Sequence, residues 1–254
     1  MTPPVTVVVP VFNGAHHLPS AVAGLEAQGV SGPAILVVDD GSTDRTPDVC
    51  AALSDAGRIR VIRTENRGPA AARNAGIEEV TSPCIAFIDV DDEWPAGRMA
   101  WMLPYLAARP ELDAIVGQSQ IVTHSPEAEA VWTAIGMPMY PVFFPQVGAG
   151  LFRRSLFDRV GGFATDMRYA EDVDWYFRLF ESGPALQTIR RVALHYHLHD
   201  GNMTRNRIAV RQGFTSAIAR SLMRRKRRSN PPAALPAFED FLAEPPDTMT
   251  VAAR

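Results

Sequence analysis

Short runs of β-branched and other apolar residues recur from residue 5 to residue 90, and segments with helical spacing separate them. The runs that predict buried strands are VTVVVPVF (5–12), AILVVDD (34–40), RIRVI (59–63) and CIAFIDV (84–90). Apolar residues at helical spacing predict helices over residues 18–28, after the turn at 41–43, and over residues 66–80. This alternation indicates a parallel sheet with helices on both faces.

The alternation weakens after residue 92. The elements predicted there are a helix over 97–109, a strand over 112–122, a short strand, short helix and glycine turn over 148–163, a helix over 171–183, a strand over 185–197 and a helix over 213–228. Residues 123–147 are rich in proline and aromatic residues without a clear period, so we expect a long loop over a binding cleft. The Pro/Ala-rich tail, 229–254, is expected to be poorly ordered.

Polar side chains stand where three of the predicted strands end. They are Asn13, the pair Asp39 and Asp40, and the pair Asp89 and Asp91. Ligands of parallel sheets bind outside the carboxyl ends of the strands. Mg²⁺ and Mn²⁺ prefer oxygen ligands and keep several waters or phosphate oxygens, so the acidic turn DVDDEW fits such a cation bound with a diphosphate. A solvated acidic turn is the alternative.

Three other polar groups allow more than one interpretation. Glu171 and Asp172 precede an amphipathic helix, and acids there stabilise the helix dipole by roughly 0.3–1 kcal/mol. His199, in HYHLHDGNMT, either binds a metal or phosphate or packs a loop. His16 and His17 follow the first strand, and we expect a solvated helix start there.

A basic stretch, RRKRR (224–228), follows the apolar residues Phe214, Ile218 and Leu222. A helix of this composition could rest on anionic lipid as a peripheral membrane contact. A solvated basic helix end before the tail is the alternative that the sequence favours.

Composition narrows the functional class. The chain has 254 residues, of which 46% are hydrophobic and 21% charged, so it can bury a sizeable core. A net charge of −3 argues against a nucleic-acid partner. Two cysteines, Cys50 and Cys84, are too few for a disulfide framework and fit a reducing cytoplasm. The N-terminus lacks the features of a signal peptide, and no apolar run is long enough to span a bilayer.

Five motifs occur in a characteristic order: VVVPVFNG, VVDDGSTDRT, NRGPAAARNAG, FIDVDDEW, and GGF followed by ED. Together they resemble the family 2 glycosyltransferases over about residues 4–205, and YHLHDGNMT resembles the closing loop of that family. The resemblance implies the α/β glycosyltransferase A-type fold, which is a Rossmann-like, mostly parallel sheet flanked by helices, with an acceptor-side subregion. It also implies one domain over 1–228, with a nucleotide-sugar half (1–97), an acceptor half (98–205) and a basic C-terminal helix (206–228), followed by the tail.

The same resemblance implies roles for individual residues. It makes Asp172 the general base and Asp91 the direct metal ligand, while Asp89 faces the ribose or the metal. The other residues implied at the nucleotide sugar are Pro10, Phe12, Asn13, Asp39, Asp40, Arg73 and Val90. Those implied on the acceptor side are Trp94, Gly148, Glu171 and Trp175. The cofactor implied is Mn²⁺ or Mg²⁺, with His199 as a further candidate ligand.

The expected function is inverting transfer of a sugar from a nucleoside diphosphate sugar to an acceptor hydroxyl. Asp40 at a strand end suggests a base with an N–H to donate, which favours UDP- or dTDP-sugars. The acceptor is a glycan, a lipid-linked molecule or a small molecule. The alternative is a catalytically inactive module that binds a nucleotide sugar. A receiver domain leaves the second acidic cluster unexplained, and a nucleotidyltransferase would need a glycine-rich basic loop where VFNGAHHLP stands.

Overall fold

The structure is a computed structural model that describes residues 3–123, 126–133, 139–199, 201–203, 206–228 and 234–242. The strands are β1 (Val5–Val11), β2 (Ile35–Asp39), β3 (Arg60–Arg63), β4 (Cys84–Phe87), β5 (Ala114–Thr123), β6 (Gly150–Arg153) and β7 (Leu186–Leu198). The helices are α1 (Leu18–Ala27), α2 (Thr46–Asp55), α3 (Pro69–Glu79), α4 (Arg98–Ala107), α5 (Pro126–Thr133), α6 (Arg154–Val160), α7 (Glu171–Glu181) and α8 (Arg207–Lys226).

The strands form one sheet in the order β3-β2-β1-β4-β6-β5-β7. The strands β3, β2, β1 and β4 run parallel, β6 is antiparallel to both of its neighbours, and β7 is parallel to β5. The prediction of a mostly parallel α/β sheet is therefore confirmed. The carboxyl ends of β1, β2 and β4 meet at one edge, where their polar residues come together.

The NRGPAAARNAG motif packs α3 tightly against this sheet. Pro69 begins the helix, where its missing N–H costs little, and Ala70 and Ala72 are buried. A Cβ at Gly76 would lie only 2.4 Å from a methyl carbon of Val8, so only glycine fits. This close approach of α3 to β1 fixes the position of Arg73 and Asn74, two polar residues of the same helix.

Three expectations for the second half are corrected. Residues 123–147 are not one long loop, because α5 occupies 126–133, while residues 124, 125 and 134–138 lie outside the described residues. The last helix begins at Arg207, before residue 213 where its apolar spacing starts and next to the boundary at 206 that the resemblance implies. Part of the tail is ordered, since a 3-10 turn (Phe238–Phe241) buries Phe238 against Tyr176 and Phe180, with ring centroids 5.2 Å apart in both pairs. At this point, burial of the Phe238 ring stabilises an ordered turn despite the Pro/Ala-rich composition of the tail.

None of the described helices combines the length and the apolar character that crossing a bilayer requires.

Candidate active site

Two of the four acids in DVDDEW fasten the turn to β7. One carboxylate oxygen of the buried Asp92 accepts the backbone N–H of His197 at 3.1 Å. The backbones of Glu93 and His195 exchange two hydrogen bonds, of 3.1 and 2.8 Å. Burial raises the pKa of Asp92 well above its ordinary value, and the neighbouring carboxylates raise it further. These two acids therefore hold the turn in place.

Asp91 is the acid of this turn that contacts the segment after β7. Its Oδ2 lies 2.9 Å from Nε2 of His199, which follows β7, and 3.4 Å from the side-chain nitrogen of Asn202. The ring of His17 lies 5.5 Å from that of His199. Asp91, His17 and His199 line a cavity of about 430 Å³, whose floor includes Leu25.

Asp91 and His199 fit a divalent cation that is shared with a ligand. A carboxylate oxygen and an imidazole nitrogen suit Mn²⁺, and Mg²⁺ is usually held by one or two carboxylates plus phosphate oxygens and water. Among the described residues, no three His, Cys, Asp or Glu side chains are grouped closely enough to hold a metal by themselves. Asp91 and His199 thus match a cation whose remaining coordination positions are filled by the substrate and water.

Asp89, the first acid of the motif, is bound by a buried arginine of α3. Nη2 of Arg73 lies 2.7 and 3.0 Å from the carboxylate oxygens of Asp89, and Nη1 lies 2.7 Å from Oε1 of Glu171. Burial opposes a charged guanidinium, but the carboxylates of Asp89 and Glu171 raise the pKa of Arg73 above its ordinary value. The side chain is only 5% exposed. Arg73 therefore joins the end of β4 to the start of α7.

The next residue of α3 strengthens the same connection. Oδ1 of Asn74 accepts the backbone N–H of Phe163 at 2.7 Å, and its Nδ2 donates to the carbonyl of that residue at 2.8 Å. A Cβ at Gly162 would lie 2.3 Å from Oδ1 of Asn74, which explains the glycine before Phe163. Consecutive residues of one helix thus hold both the GGF turn and the ED pair.

Asp172 is the second residue of α7 and is partly buried beside Glu171. One oxygen accepts the backbone N–H of Val173 at 2.8 Å. Burial raises the pKa of Asp172 to about 8, the carboxylate of Glu171 adds to the rise, and Arg73 opposes it. The residue before the helix, Ala170, has a left-handed backbone with φ of 59°. Such conformations are uncommon for alanine and concentrate at functional sites.

The pair Asp39 and Asp40 holds the loops that follow β2 and β3. The two oxygens of Asp40 accept the backbone N–H groups of Arg67 at 3.0 Å and Gly68 at 2.8 Å. Oδ2 of Asp39 lies 2.7 Å from Nη1 of Arg63. Both acids are buried, and Oδ1 of Asp40 also accepts the hydroxyl of Thr64 at 3.3 Å.

The residues after β1 form the rim of the same edge. Phe12 is 48% exposed, which is high for an aromatic ring, whereas Pro10 is buried in the strand. Asn13 has φ of 52°, and its Oδ1 accepts the backbone N–H groups of Thr43 at 2.8 Å and Asp44 at 3.2 Å. The phenyl ring is an open surface on which a planar base could stack.

Trp94 and Gly148 form part of the wall below the acidic turn. Nε1 of Trp94 donates to the carbonyl of Gly148 at 3.1 Å, and the guanidinium of Arg98 lies 3.8 Å from the centre of a Trp94 ring. Trp94 and Val90 line the cavity beside Asp91. The sequence prediction thus named residues that lie together.

The prediction that Trp175 contacts the acceptor is wrong. Its side chain is 0% exposed, it stacks on Phe157 at 5.0 Å, and its indole N–H donates to the carbonyl of Gly161 at 2.9 Å. Glu171 is also buried, with one oxygen bound to Arg73. Trp175 is a core residue, and Glu171 is a buried partner of Arg73.

Two features of the site were not predicted. His17 was expected to be solvated but lies beside His199, and burial lowers its pKa. The connection from Arg73 to Glu171 joins residues 98 positions apart. The sequence carries no local signal for either contact, because both depend on how the elements are arranged in space.

The sequence profile described as glycosyl transferase family 2 matches residues 6–172. The uncharacterized glycosyltransferase EpsJ of Bacillus subtilis (strain 168) is 31% identical over 222 residues, which cover 80% of this chain and 64% of that protein. An uncharacterized glycosyltransferase of Rickettsia prowazekii (strain Madrid E) is 28% identical over 190 residues, covering 70% of this chain and 59% of that protein. The chain thus spans less than two thirds of either relative.

Solved structures share the fold. The mannosyltransferase PcManGT from Pyrobaculum calidifontis, in complex with GDP-Man and Mn²⁺, superposes with a TM-score of 0.68 at 24% identity, covering 91% of this chain and 66% of that one. Residues 1–349 of S. aureus TarS, in complex with UDP-GlcNAc, superpose with a TM-score of 0.70 at 14% identity, covering 89% and 67%. The fold is therefore of the glycosyltransferase A type.

Proposed function

The chain belongs to glycosyl transferase family 2, and we propose that it transfers a sugar from a nucleoside diphosphate sugar to an acceptor hydroxyl with inversion. The observation that carries this proposal is the Arg73 connection. It joins the strand end that presents Asp91 to the helix start that presents Asp172. A single displacement needs a group at the leaving diphosphate and a base at the acceptor, and the two acids supply these roles.

The donor would occupy the edge formed by the ends of β1, β2 and β4. Phe12 offers its exposed ring to the base, and Asn13 shapes the loop beside it. The remaining lone pairs of Asp40 suit a base that donates an N–H, so we propose a UDP- or dTDP-sugar. The relatives support the class of donor but differ within it, since PcManGT was solved with GDP-Man and TarS with UDP-GlcNAc.

Asp91 and His199 would hold Mn²⁺ or Mg²⁺ with the donor diphosphate, and the Mn²⁺ in the PcManGT complex supports this. When bound, the cation neutralises the charge that develops on the leaving diphosphate. Asp89 would act through Arg73, because the guanidinium fixes the orientation of the Asp89 carboxylate after β4.

Asp172 would accept the proton of the acceptor. The acceptor oxygen bonds to the anomeric carbon, the bond from that carbon to the diphosphate breaks with its electron pair leaving on the diphosphate, and the hydroxyl proton moves to Asp172. A carboxylate with a pKa near 8 is a stronger base than an ordinary one, but it is more often protonated at neutral pH. The rate of transfer should therefore rise as the pH approaches 8.

The neighbouring acids are poor candidates for the base. Asp174 is buried, with its two oxygens 3.0 and 2.8 Å from the guanidinium groups of Arg178 and Arg224. Glu171 is held by Arg73. Among the acids at the start of α7, Asp172 is the one that makes no ion pair within the described part of the chain.

We also propose a reducing compartment, the cytoplasm, for this reaction. Both cysteines, Cys50 and Cys84, are buried and not bonded to each other. Burial raises the pKa of each thiol, so neither is a reactive thiolate at neutral pH.

Thermal unfolding with UDP-, dTDP- and GDP-sugars, each with Mn²⁺ or EDTA, tests the donor. We expect UDP- or dTDP-sugars to raise the Tm only when Mn²⁺ is present, and slow hydrolysis of the stabilising donor. Stabilisation by GDP-sugars alone would refute the base contact. Metal-dependent binding without hydrolysis or transfer to any acceptor would indicate the inactive binding module instead.

A further inference from the structure

One side of α8 exposes an apolar stripe. Its members are Ile208, Ile218, Leu222 and Met223, which are between 45% and 73% exposed. At about 100° per residue, all four fall within a sector of about 140° around the helix axis. The opposite side packs against α7, where Ala217 and Ser221 are buried. The stripe is interrupted: Ile218, Leu222 and Met223 lie together, and the exposed polar residues Arg211, Gln212 and Thr215 separate them from Ile208.

The basic residues at the end of α8 divide into two sets. Arg224 faces inward, 2.8 Å from Asp174 and 2.8 Å from Glu181, and Arg228 donates to the backbone of Glu181. Lys226 and Arg227 are exposed, and neither makes an ion pair within the described part of the chain. Of the two alternatives for this helix end, contact with anionic lipid or simple solvation, the sequence favoured solvation. Only part of the charge faces the solvent, and it does so beside exposed apolar side chains.

The surface around the stripe is mostly positively charged, although Arg220 pairs with Asp166, and Arg224 pairs with Asp174 and Glu181. Residues 207–228 contain no aspartate or glutamate, although the whole chain has a net charge of −3. Exposed Arg211 lies on the same side of the helix as Ile218 and Leu222. Positive charge beside an apolar stripe matches a surface that is negatively charged outside and apolar beneath. A second copy of this chain would bring like charges together in a twofold contact.

We propose that the outer face of α8, defined by Ile208, Ile218, Leu222, Met223, Lys226 and Arg227, docks on an anionic lipid bilayer. The apolar side chains enter the boundary between head groups and acyl chains, and the two cations contact the negative head groups. Docking uses no residue of the candidate active site. It can therefore be tested without any donor or acceptor, and it stands or falls independently of the proposed transfer.

The test is co-sedimentation of the full chain with vesicles of phosphatidylcholine alone, or of phosphatidylcholine mixed with phosphatidylglycerol. We expect binding to the mixed vesicles that weakens with added NaCl, and little binding to the neutral ones. Leu222→Ser with Met223→Ser should reduce the partition coefficient by roughly tenfold or more. Lys226→Glu with Arg227→Glu should reduce it by roughly tenfold or more on anionic vesicles.

Matched controls separate local from general effects. Tyr140→Ser removes an aromatic ring that is 69% exposed elsewhere, and Arg45→Glu with Arg168→Glu changes the net charge by the same amount as the α8 charge variant. Both controls should bind as the wild type does, and circular dichroism melting should show every variant folded. Absence of wild-type binding to anionic vesicles, equal loss in the controls, or conversion of a wild-type dimer to a monomer by the α8 variants would each overturn the proposal.

Discussion

Aspartates on the two proposed sides of the active site have different surroundings. On the proposed donor side, Asp91 lines a cavity with His199 2.9 Å away, whereas Asp92 and Asp89 are bound to other parts of the protein. On the proposed acceptor side, Asp172 is partly buried, and burial raises its pKa to about 8. A carboxylate beside an imidazole in a cavity suits a cation, whereas a carboxylate with a raised pKa suits a proton. The environment, more than the residue type, assigns each acid its role.

Arg73 makes the two sides depend on each other. Nη2 of Arg73 lies 2.7 Å from a carboxylate oxygen of Asp89, and Nη1 lies 2.7 Å from one of Glu171. The side chain has almost no exposure to solvent. Arg98 is equally buried but has carbonyl partners at Gly148 and Gly150, and burial lowers its pKa to about 9. The carboxylates are thus what keep Arg73 firmly charged, and losing one should disturb the other side of the cleft.

The largest effect should come from the donor side. Asp91→Asn should lower transfer by roughly 10³-fold and abolish Mn²⁺-dependent donor binding, because it removes an anionic oxygen from the open site. Its neighbour supplies the control, since Asp92 is buried with a raised pKa and Asn can still accept the bond from His197. Asp92→Asn should stay active. Equal activity in the two variants, or full wild-type activity in EDTA, would contradict the metal assignment.

The next effect tests the connection between the sides. Glu171→Gln should lower transfer by roughly 10- to 100-fold, because Arg73 loses the charge that orients it, and stability should fall by roughly 1–3 kcal/mol. Glu181→Gln is the matched control, since Glu181 is buried on the same helix and bound to Arg224. It should cost similar stability in urea unfolding but leave the kinetics of the remaining folded enzyme near normal. If both variants lose transfer in proportion to stability, Glu171 has only a structural role.

A third, smaller effect concerns the pH dependence of stability. The folded protein keeps the proton of Asp172 up to a pH of about 8, whereas the unfolded chain loses it near 4, so folding stability contributed by this group falls as the pH rises through that window. Asp172→Asn removes the titration. The Tm of this variant should exceed that of the wild type by a difference that grows from pH 5 to pH 8 and then levels off. A constant difference would mean that the carboxyl is not enclosed.

The smallest effect concerns the backbone before α7. Ala170 has φ of 59°, and glycine adopts that conformation without the steric cost, so Ala170→Gly should stabilise the fold by roughly 0.5–1 kcal/mol. Ala164→Gly, at a residue without positive φ, should instead destabilise it slightly. Differential scanning calorimetry of the two variants would measure this, and destabilisation by both would show that Ala170 carries no strain.

The sequence predicted the strands that precede Asp39, Asp40, Asp89 and Asp91 better than it predicted the surroundings of Trp175, for physical reasons. The strands β1, β2 and β4 are continuous buried runs, so their ends and the acids after them can be located from local pattern alone. The resemblance assigned Asp91 to the metal and named His199 as a candidate ligand, but the contact of Asp92 with His197 could not be predicted, because this partner in β7 is more than a hundred residues away. For the same reason the burial of Trp175 was missed, since its aromatic neighbours come from separate elements.

Comparing donor binding with transfer in Asp172→Asn tests the central claim most directly. Asparagine keeps the shape of the side chain but cannot take a proton. The account predicts that the Kd of the stabilising nucleotide sugar, measured with Mn²⁺ by calorimetry, stays within about threefold of wild type, while transfer falls by roughly 10²–10⁴-fold. The wild-type product should have the inverted anomeric configuration by NMR. Near-normal transfer in Asp172→Asn, or joint loss of donor binding and transfer, would contradict the assignment of Asp172 as the base.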